Sequence, residues 1–293
     1  MSRGKQKKLA VINDMTCFGR CALTVSIPVI SALQVQCVPL PTALFSNHTA
    51  YPSCYRQDLT EQMPQIAEEW KKLGLDFDGI LVGYLGSAEQ MEVVRTFIRE
   101  FARPDTIIIV DPIMGDNGRR YSSYTEEMCQ QMKELIREAD ILLPNLTECC
   151  ILTDSPLLDR LAAGEKIGRA DILKMAEKLL ETIAPETKSA SDRRKSVVIS
   201  GISGETMLTN LCLIEGESPQ WIRNKRVGTE RCGTGDVFAA ILAAESVQGQ
   251  DLPASIRKAA HFIGDCILRA EELEIPVTDG ICVEEYLGKL IRR

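Results

Sequence analysis

A glycine-threonine-glycine turn leads directly into a stretch of small, helix-forming residues at 231–240 (RCGTGDVFAA). The start of a helix has unpaired backbone N–H groups and the positive end of the helix dipole, so it is a natural receptor for a phosphate. Gly233 and Gly235 would let the backbone approach that phosphate, and Asp236 would place a carboxylate beside the transferring group. Such a carboxylate could accept a proton from an attacking alcohol. In the alternative interpretation, Asp236 only caps the helix and the glycines only form a turn.

Two other segments place acidic residues directly after short apolar runs, at 111–116 (DPIMGD) and 143–148 (LPNLTE). In open α/β sheets, ligands collect at the edge where the carboxyl ends of the strands meet. Asp111 and Asp116 are therefore candidates to hold Mg²⁺, which prefers oxygen ligands. The alternative is that both segments are only turns, with Glu148 as a charge at a helix start.

Two segments have the polar and aromatic groups that recognition of a small ring would need. Residues 45–51 (FSNHTAY) combine hydroxyls, an amide and one of the two histidines of the chain, and residues 83–90 (GYLGSAEQ) place Tyr84 after another apolar run. Tyr84 could stack on a flat substrate or only fill the sheet edge. His48 alone is more typical of a structural hydrogen-bonding residue than of a catalyst.

These segments must be positioned by an alternation of strands and helices. Apolar runs of three to five residues predict buried parallel strands; they are 9–12, 79–82, 106–110, 141–143 and 197–200. A period of 3.6 residues at 172–183 and 256–267 predicts amphipathic helices. Residues 186–195 predict an exposed loop, and residues 205–214 and 221–227 predict antiparallel strands. This order predicts one three-layer α/β/α domain over residues 1–293, with a mostly parallel sheet and no separate lid domain.

Composition limits the class of partner. The net charge of -7 gives the chain no basic surface that would collect nucleic acid or an anionic membrane. The eleven cysteines are odd in number and fit free thiols, and no run approaches the roughly 18 apolar residues that span a bilayer. We therefore expect a cytoplasmic protein that binds neither membrane nor nucleic acid.

Five motifs in this order resemble those of the vitamin B6 (pyridoxal) kinases of the ribokinase-like superfamily. They are FSNHTAY at 45–51, GYLGSAEQ at 83–90, DPIMGD at 111–116, PNLTE at 144–148 and CGTGD at 232–236. The last motif identifies only the superfamily, whereas the first two are narrower, and the resemblance covers roughly residues 8–275. It implies transfer of the γ-phosphoryl group of ATP to the 5′-hydroxymethyl group of pyridoxal, pyridoxamine or pyridoxine. It also implies Mg²⁺, a monovalent cation that is usually K⁺, and a homodimer.

The resemblance also assigns roles to residues. Asp236 would be the catalytic base, with the amides of Gly233, Thr234 and Gly235 as the anion hole. Asp111 and Glu148 would organise Mg²⁺. The residues expected near ATP are Asn145, Asp116, Ser200, Arg119 and Tyr121, with segment 116–121 lying over the phosphates. The residues expected at the vitamer end are Ser46, His48, Thr49 and Tyr84.

The chain departs from the family after its first strand, where many B6 kinases have a serine within reach of the pyridine ring. Here the sequence is Asn-Asp-Met-Thr at 13–16, which adds Asp14 to the expected substrate site and leaves the preferred vitamer open. Hydroxymethylpyrimidine also remains open as the substrate. Cys232 precedes the anion hole, where a helix start would lower a thiol pKa and allow the thiol to engage an aldehyde; the alternative is a small buried residue.

The sequence also bears on two function classes outside the kinases. A dinucleotide-dependent dehydrogenase would show a Gly-x-Gly-x-x-Gly motif after an early strand, but only Gly19 follows the first apolar run. A protein that only binds a nucleotide or vitamer would not require Asp236.

Overall fold

The structure is a computed structural model that describes residues 5–184 and 193–291. Its main feature is a nine-stranded sheet, and a separate two-stranded hairpin lies near one edge of it. The strands are β1 Lys8–Thr16, β2 Gln36–Phe45, β3 Arg56–Asp58, β4 Gly79–Val82, β5 Ile107–Val110, β6 Gly115–Asp116, β7 Arg119–Arg120, β8 Ile141–Leu142, β9 Ser196–Ser203, β10 Met207–Ile214 and β11 Gln220–Lys225. The order across the sheet is β11-β10-β9-β8-β5-β4-β1-β2-β3, and β6 pairs with β7 in the hairpin.

Helices cover both faces of the sheet. They are α1 Ala22–Ala32, α2 Gln62–Lys72, α3 Ala88–Phe101, α4 Glu126–Leu135, α5 Leu146–Leu152, α6 Leu157–Ala162, α7 Arg169–Ile183, α8 Thr234–Val247 and α9 Leu252–Glu272. The buried side chains form two clusters. One contains residues of α2, α3, α4, α5 and α7, and the other contains residues of α1, α8 and α9. The predicted three-layer architecture is therefore confirmed.

The six central strands from β9 to β2 are parallel, whereas β3, β10 and β11 are antiparallel to their neighbours. Residues of β4 and β5 are apolar without interruption because both faces of these strands are buried. The predicted strands and both predicted amphipathic helices are present, and their boundaries shift by a few residues. The antiparallel pairing of β10 with β11 also agrees with the prediction.

Strand β1 is longer than the apolar run 9–12 predicts, because its pairing with β2 continues to Thr16. The expectation that Asp14 follows the first strand is therefore wrong. Asp14 lies inside β1, at an irregularity in the register between Asn13 and Met15.

Strand β2 contains Pro39 and Pro41, which obscure it in the sequence. The N–H of Gln36 points toward β1, where it donates to the Lys7 carbonyl at 2.8 Å. Positions 39 and 41 are an odd number of residues further along, so their nitrogens face away from β1. The prolines therefore remove no hydrogen bond between β1 and β2.

Most of the loop predicted at 186–195 lies outside the described residues. Within the described part of the chain, no helix is long and apolar enough to cross a membrane. The carboxyl ends of the parallel strands lie at one edge of the sheet, where segments 83–90, 111–116 and 143–148 follow β4, β5 and β8, and segment 45–51 begins at the last residue of β2.

Candidate active site

Asp236 lies in the first turn of α8, and the turn before it is built for close approach. Gly233 is the N-terminal cap of the helix in the left-handed conformation (φ 80°), and a Cβ atom there would lie 1.8 Å from the Arg20 carbonyl oxygen. Gly233 has no side chain that could cap the first-turn N–H groups of α8. Those groups are therefore available to an anion, as predicted for a phosphate site.

The Asp236 carboxylate is partly exposed and is held from two sides. The side-chain amide of Asn13 donates to its Oδ1 at 3.1 Å, and the backbone N–H of Ala22 also bonds to it. Ala22 has a φ of 50°, an unusual value for a residue with a side chain, at the start of α1. Strained backbone of this kind is common where a fold fixes a functional group.

Burial raises the pKa of the Asp236 carboxyl above its ordinary value, while the hydrogen bonds from Ala22 and Asn13 and the nearby His48 act in the opposite direction. A carboxyl with a raised pKa is a better proton acceptor for an alcohol than an ordinary aspartate.

Asp111 and Glu148 form an acidic pair beside the base. Burial raises the pKa of Asp111 well above its usual range, and the charges of Glu148 and Asp236 raise it further. Burial raises the pKa of Glu148 to about 7, although its carboxylate accepts the N–H groups of Asn145 at 2.8 Å and Met114 at 3.0 Å. The repulsion within this group would be relieved by a cation.

The acidic pair fits Mg²⁺ as a partly hydrated ion. Both oxygens of Glu148 already accept a backbone N–H group, which suits contact through water, and Mg²⁺ usually keeps several waters. Among the described residues, no three His, Cys, Asp or Glu side chains are grouped so that they could hold a metal ion by themselves. The phosphates of a nucleotide would have to complete the coordination.

The side chain of Asn145 ties the hairpin to the helix that follows β8. It caps α5 by accepting the Glu148 N–H at 3.0 Å, and its amide donates to the Gly115 carbonyl of β6 at 2.8 Å. Next to Gly115, Asp116 accepts the Asn117 N–H at 2.7 Å. Asn145 thus fixes the hairpin beside the acidic pair.

The other residues expected near ATP lie around this hairpin. Burial raises the pKa of the Tyr121 hydroxyl, and Glu148 and Asp116 raise it further, which puts Tyr121 within the field of the acidic group. Arg119 is exposed on β7. Ser200 lies in β9, where its N–H donates to the Pro144 carbonyl at 3.0 Å. The contacts of these residues with ATP remain predictions.

Three of the predicted vitamer residues lie close to the base. Asp14 is 8% exposed, and burial raises its pKa to about 7 against the effect of the Thr16 hydroxyl, which donates to it at 2.6 Å. The charge of Asp236 raises the pKa of Asp14 further and acts on the pKa of His48 in the same direction. Tyr84 lies near Asp14, whose charge raises the pKa of its hydroxyl, and its backbone N–H donates to Asn13, the residue that holds Asp236. Burial lowers the pKa of His48 and favours the neutral ring.

Ser46 and Thr49 are less closely tied to the base. The Ser46 hydroxyl donates to the Asn47 side chain at 2.6 Å and accepts the Tyr55 N–H at 2.9 Å, so it shapes the loop. Thr49 is exposed. Roles for both in substrate binding remain predictions.

The expectation of a lowered pKa at Cys232 is wrong. Burial raises the pKa of its thiol to about 11, the charge of Asp236 raises it further, and the thiol lies 3.2 Å from the Thr278 carbonyl oxygen. Burial, assisted by the adjacent acid, therefore keeps Cys232 a neutral thiol at neutral pH.

Two groups that hold the base were not predicted from the sequence: the side chain of Asn13 and the backbone of Ala22. Asn13 was visible as a polar residue at the end of an apolar run, but its partner is 223 positions away. No local pattern marks the backbone amide of Ala22.

The chain is similar in sequence to known kinases. Residues 25–277 match the family described as phosphomethylpyrimidine kinase. A pyridoxine/pyridoxal/pyridoxamine kinase of Bordetella avium is 26% identical over 271 residues, which cover 86% of this chain and 81% of that protein.

Two solved structures are similar over almost the whole chain. A putative phosphomethylpyrimidine kinase from Bacteroides thetaiotaomicron, crystallised with pyridoxal, is 34% identical, with a TM-score of 0.87 and coverage of 98% of this chain and 96% of that one. The pyridoxal kinase from Leishmania donovani, in complex with ADP and pyridoxamine, is 22% identical, with a TM-score of 0.80 and coverage of 97% and 96%. The resemblance to B6 kinases inferred from the motifs is confirmed. The chain belongs to the phosphomethylpyrimidine kinase family and has the ribokinase-like fold of the pyridoxal kinases.

Proposed function

We propose that this protein transfers the γ-phosphoryl group of ATP to the 5′-hydroxymethyl group of a B6 vitamer: pyridoxal, pyridoxamine or pyridoxine. The observation that carries the proposal is the position of Asp236. Its carboxylate lies at an uncapped helix start, within the field of the acidic pair on one side and of His48 and Asp14 on the other.

In the proposed reaction, the alcohol of the vitamer lies against Asp236, which removes its proton as the oxygen attacks the γ-phosphorus. The amides of Gly233, Thr234 and Gly235 donate to the phosphoryl oxygens, where negative charge must be stabilised in the transition state. Asp236 remains partly exposed, so an alcohol can reach it. Its raised pKa favours acceptance of the proton.

Asp111 and Glu148 would hold Mg²⁺, which neutralises charge on the phosphates when it is bound. Asn145, Asp116, Arg119, Tyr121 and Ser200 are proposed to contact ATP. Asn145 also keeps the hairpin beside the acidic pair through its bond to Gly115.

Three features favour a B6 vitamer over hydroxymethylpyrimidine. The motifs at 45–51 and 83–90 are those of B6 kinases, the Bordetella relative carries a B6 kinase name, and the Bacteroides protein was crystallised with pyridoxal despite its pyrimidine name. We also propose that Asp14 contacts the ring, that K⁺ assists the reaction and that the protein works as a cytoplasmic homodimer.

The test is ATP-dependent phosphorylation of pyridoxal, pyridoxamine, pyridoxine and hydroxymethylpyrimidine by the purified protein with Mg²⁺, in the presence and absence of K⁺. Asp236→Asn should lower kcat about 10²- to 10⁴-fold, because it removes the proton acceptor but keeps the shape. Asp105→Asn, at an exposed turn outside the site, is the control. Turnover of hydroxymethylpyrimidine alone would overturn the substrate assignment, and an unimpaired Asp236→Asn variant would overturn the role of the base.

A further inference from the structure

Asn13 is a buried amide whose orientation is fixed by its surroundings. It is 5% exposed, and its Oδ1 accepts the backbone N–H groups of Tyr84 at 2.9 Å and Asp14 at 3.0 Å. Backbone N–H groups can only donate, so the oxygen must face them and the NH₂ group must face the other way. On that other side, it donates to Asp236 at 3.1 Å.

Packing removes the remaining freedom of this side chain. A Cβ atom on Gly83 would lie 2.8 Å from the Asn13 Cγ, so the absence of a side chain at residue 83 makes room for the amide. The contact with Asn13 therefore explains, on steric grounds, why residue 83, the first residue of the GYLGS segment, is a glycine. Asn13, Gly83 and Asp236 form one fixed arrangement that joins β1 and the residue after β4 to the first turn of α8.

We propose that Asn13 is a positioning residue that fixes the Asp236 carboxylate relative to the vitamer-binding segment at Tyr84. The inference rests on the proposed function of Asp236 as the base. Through one amide, Asn13 holds both the base and the backbone of Tyr84, so the proton acceptor and the substrate site keep a constant separation. A proton acceptor that is misplaced by a fraction of an ångström loses much of its effect.

The titratable groups whose charge interacts with Asp236 are Asp14, Cys21, His48, Asp111, Tyr121 and Cys232. Asn13 differs from these groups because it donates a hydrogen bond to the carboxylate and does not titrate. Its removal should therefore shift protonation of the base without adding an ionisable group to the site.

Two substitutions separate the donor from the acceptor of the amide. Asn13→Asp keeps an oxygen for the N–H groups of Tyr84 and Asp14, but it replaces the donor with an acidic group beside Asp236. Asn13→Leu removes both functions at similar volume. Gln248→Leu is the matched control, because Gln248 is a partly buried amide that donates to the Leu33 carbonyl at 2.6 Å and follows the C-terminal end of α8, the opposite end of the helix from Asp236.

The experiment measures kcat and KM from pH 5.5 to 9 on whichever alcohol the wild-type protein phosphorylates, after thermal melting shows that each variant is folded. In both Asn13 variants, kcat near pH 6.5 should fall about ten- to a hundredfold, and the acidic limb of its pH profile should move to higher pH. The vitamer KM should stay near the wild-type value in Asn13→Asp and rise in Asn13→Leu. Gln248→Leu should keep the wild-type pH profile.

A wild-type pH profile in both Asn13 variants would overturn the inference while leaving the proposed function intact. The same shift in Gln248→Leu would also overturn it, since the effect would then follow from loss of any amide side chain that donates inside the fold. Absence of turnover by the wild-type protein on every alcohol would instead overturn the proposed function, and the inference with it.

Discussion

Asp14 provides a test of the electrostatics of the site that does not depend on activity. Burial raises the pKa of its carboxyl from 3.8 to about 7 in the folded protein. Between these two values, the unfolded chain has released the proton of Asp14 while the folded chain still holds it. The free energy of unfolding must therefore fall as the pH rises through this range, by about 1.4 kcal/mol per pH unit for this one group.

The perturbation is Asp14→Asn, which keeps the size of the side chain and an oxygen that can accept the Thr16 hydroxyl. The variant has no carboxyl to ionise at this position. From pH 5 to the folded pKa of about 7 is about 2 pH units, so its stability relative to wild type should rise by about 3 kcal/mol between pH 5 and pH 8. Other titrating groups, including Glu148, largely cancel because the same pH change is applied to both proteins.

The assay is urea denaturation followed by the fluorescence of Trp70 and Trp221, at pH 5 and at pH 8 for both proteins. Asp105→Asn, a substitution at an exposed position, should change stability little at either pH. If the difference between Asp14→Asn and wild type is the same at both pH values within about 1 kcal/mol, Asp14 does not carry a raised pKa. Such a result would refute the conclusion that burial disfavours the ionised form of Asp14.

Two further substitutions and one chemical modification test other parts of the structure. Asp140→Ala should lower the free energy of unfolding by about 3 kcal/mol in urea denaturation, because it leaves the half-buried Lys195 ammonium, now 2.9 Å from Asp140, without its carboxylate partner and the buried Ile108 N–H without its acceptor; a loss under about 1 kcal/mol would contradict this. Glu148→Gln should raise the Mg²⁺ concentration needed for half-maximal rate about tenfold, and an unchanged Mg²⁺ titration would exclude Glu148 from the metal site. Iodoacetamide at pH 8 should alkylate the exposed Cys17 before Cys232, whose thiol pKa is raised to about 11, and peptide mass spectrometry showing the reverse order would contradict that value.

The parts of the fold that the sequence predicts are those fixed by local pattern. The runs that become β4 and β5 are buried on both faces, so each is apolar throughout and easily found. The long strand β2 has no such signal because Pro39 and Pro41 are typical of edges and turns. The pairing of β2 with β1 in the folded chain shows how the prolines are accommodated, because the proline nitrogens face away from β1.

The candidate site divides in the same way. Asp236, Asp111 and Glu148 were predicted because each follows a glycine turn or an apolar run in its own segment. The bond between Asn13 and Asp236 was not predicted, because it joins β1 to the first turn of α8, and these two elements meet only in the folded chain. The thiol of Cys232 was misjudged for a related reason: its sequence position indicates a helix dipole, but its pKa is raised by burial and by the neighbouring acid.

The acids of this site also explain why it should bind its substrates together. Asp14, Asp111, Glu148 and Asp236 all have raised pKa values, and burial is the largest cause for each of them. When these four carboxyl groups are ionised, burial and the repulsion between their negative charges destabilise the protein without ligands. Positive charge brought by a bound cation or by a protonated ring would relieve it, and such a ligand stabilises the folded state in proportion to the logarithm of its concentration. Such a site is less stable without ligands and binds cations more tightly as a result. This arrangement is expected where a cation must neutralise the charge of a phosphoryl group during its transfer.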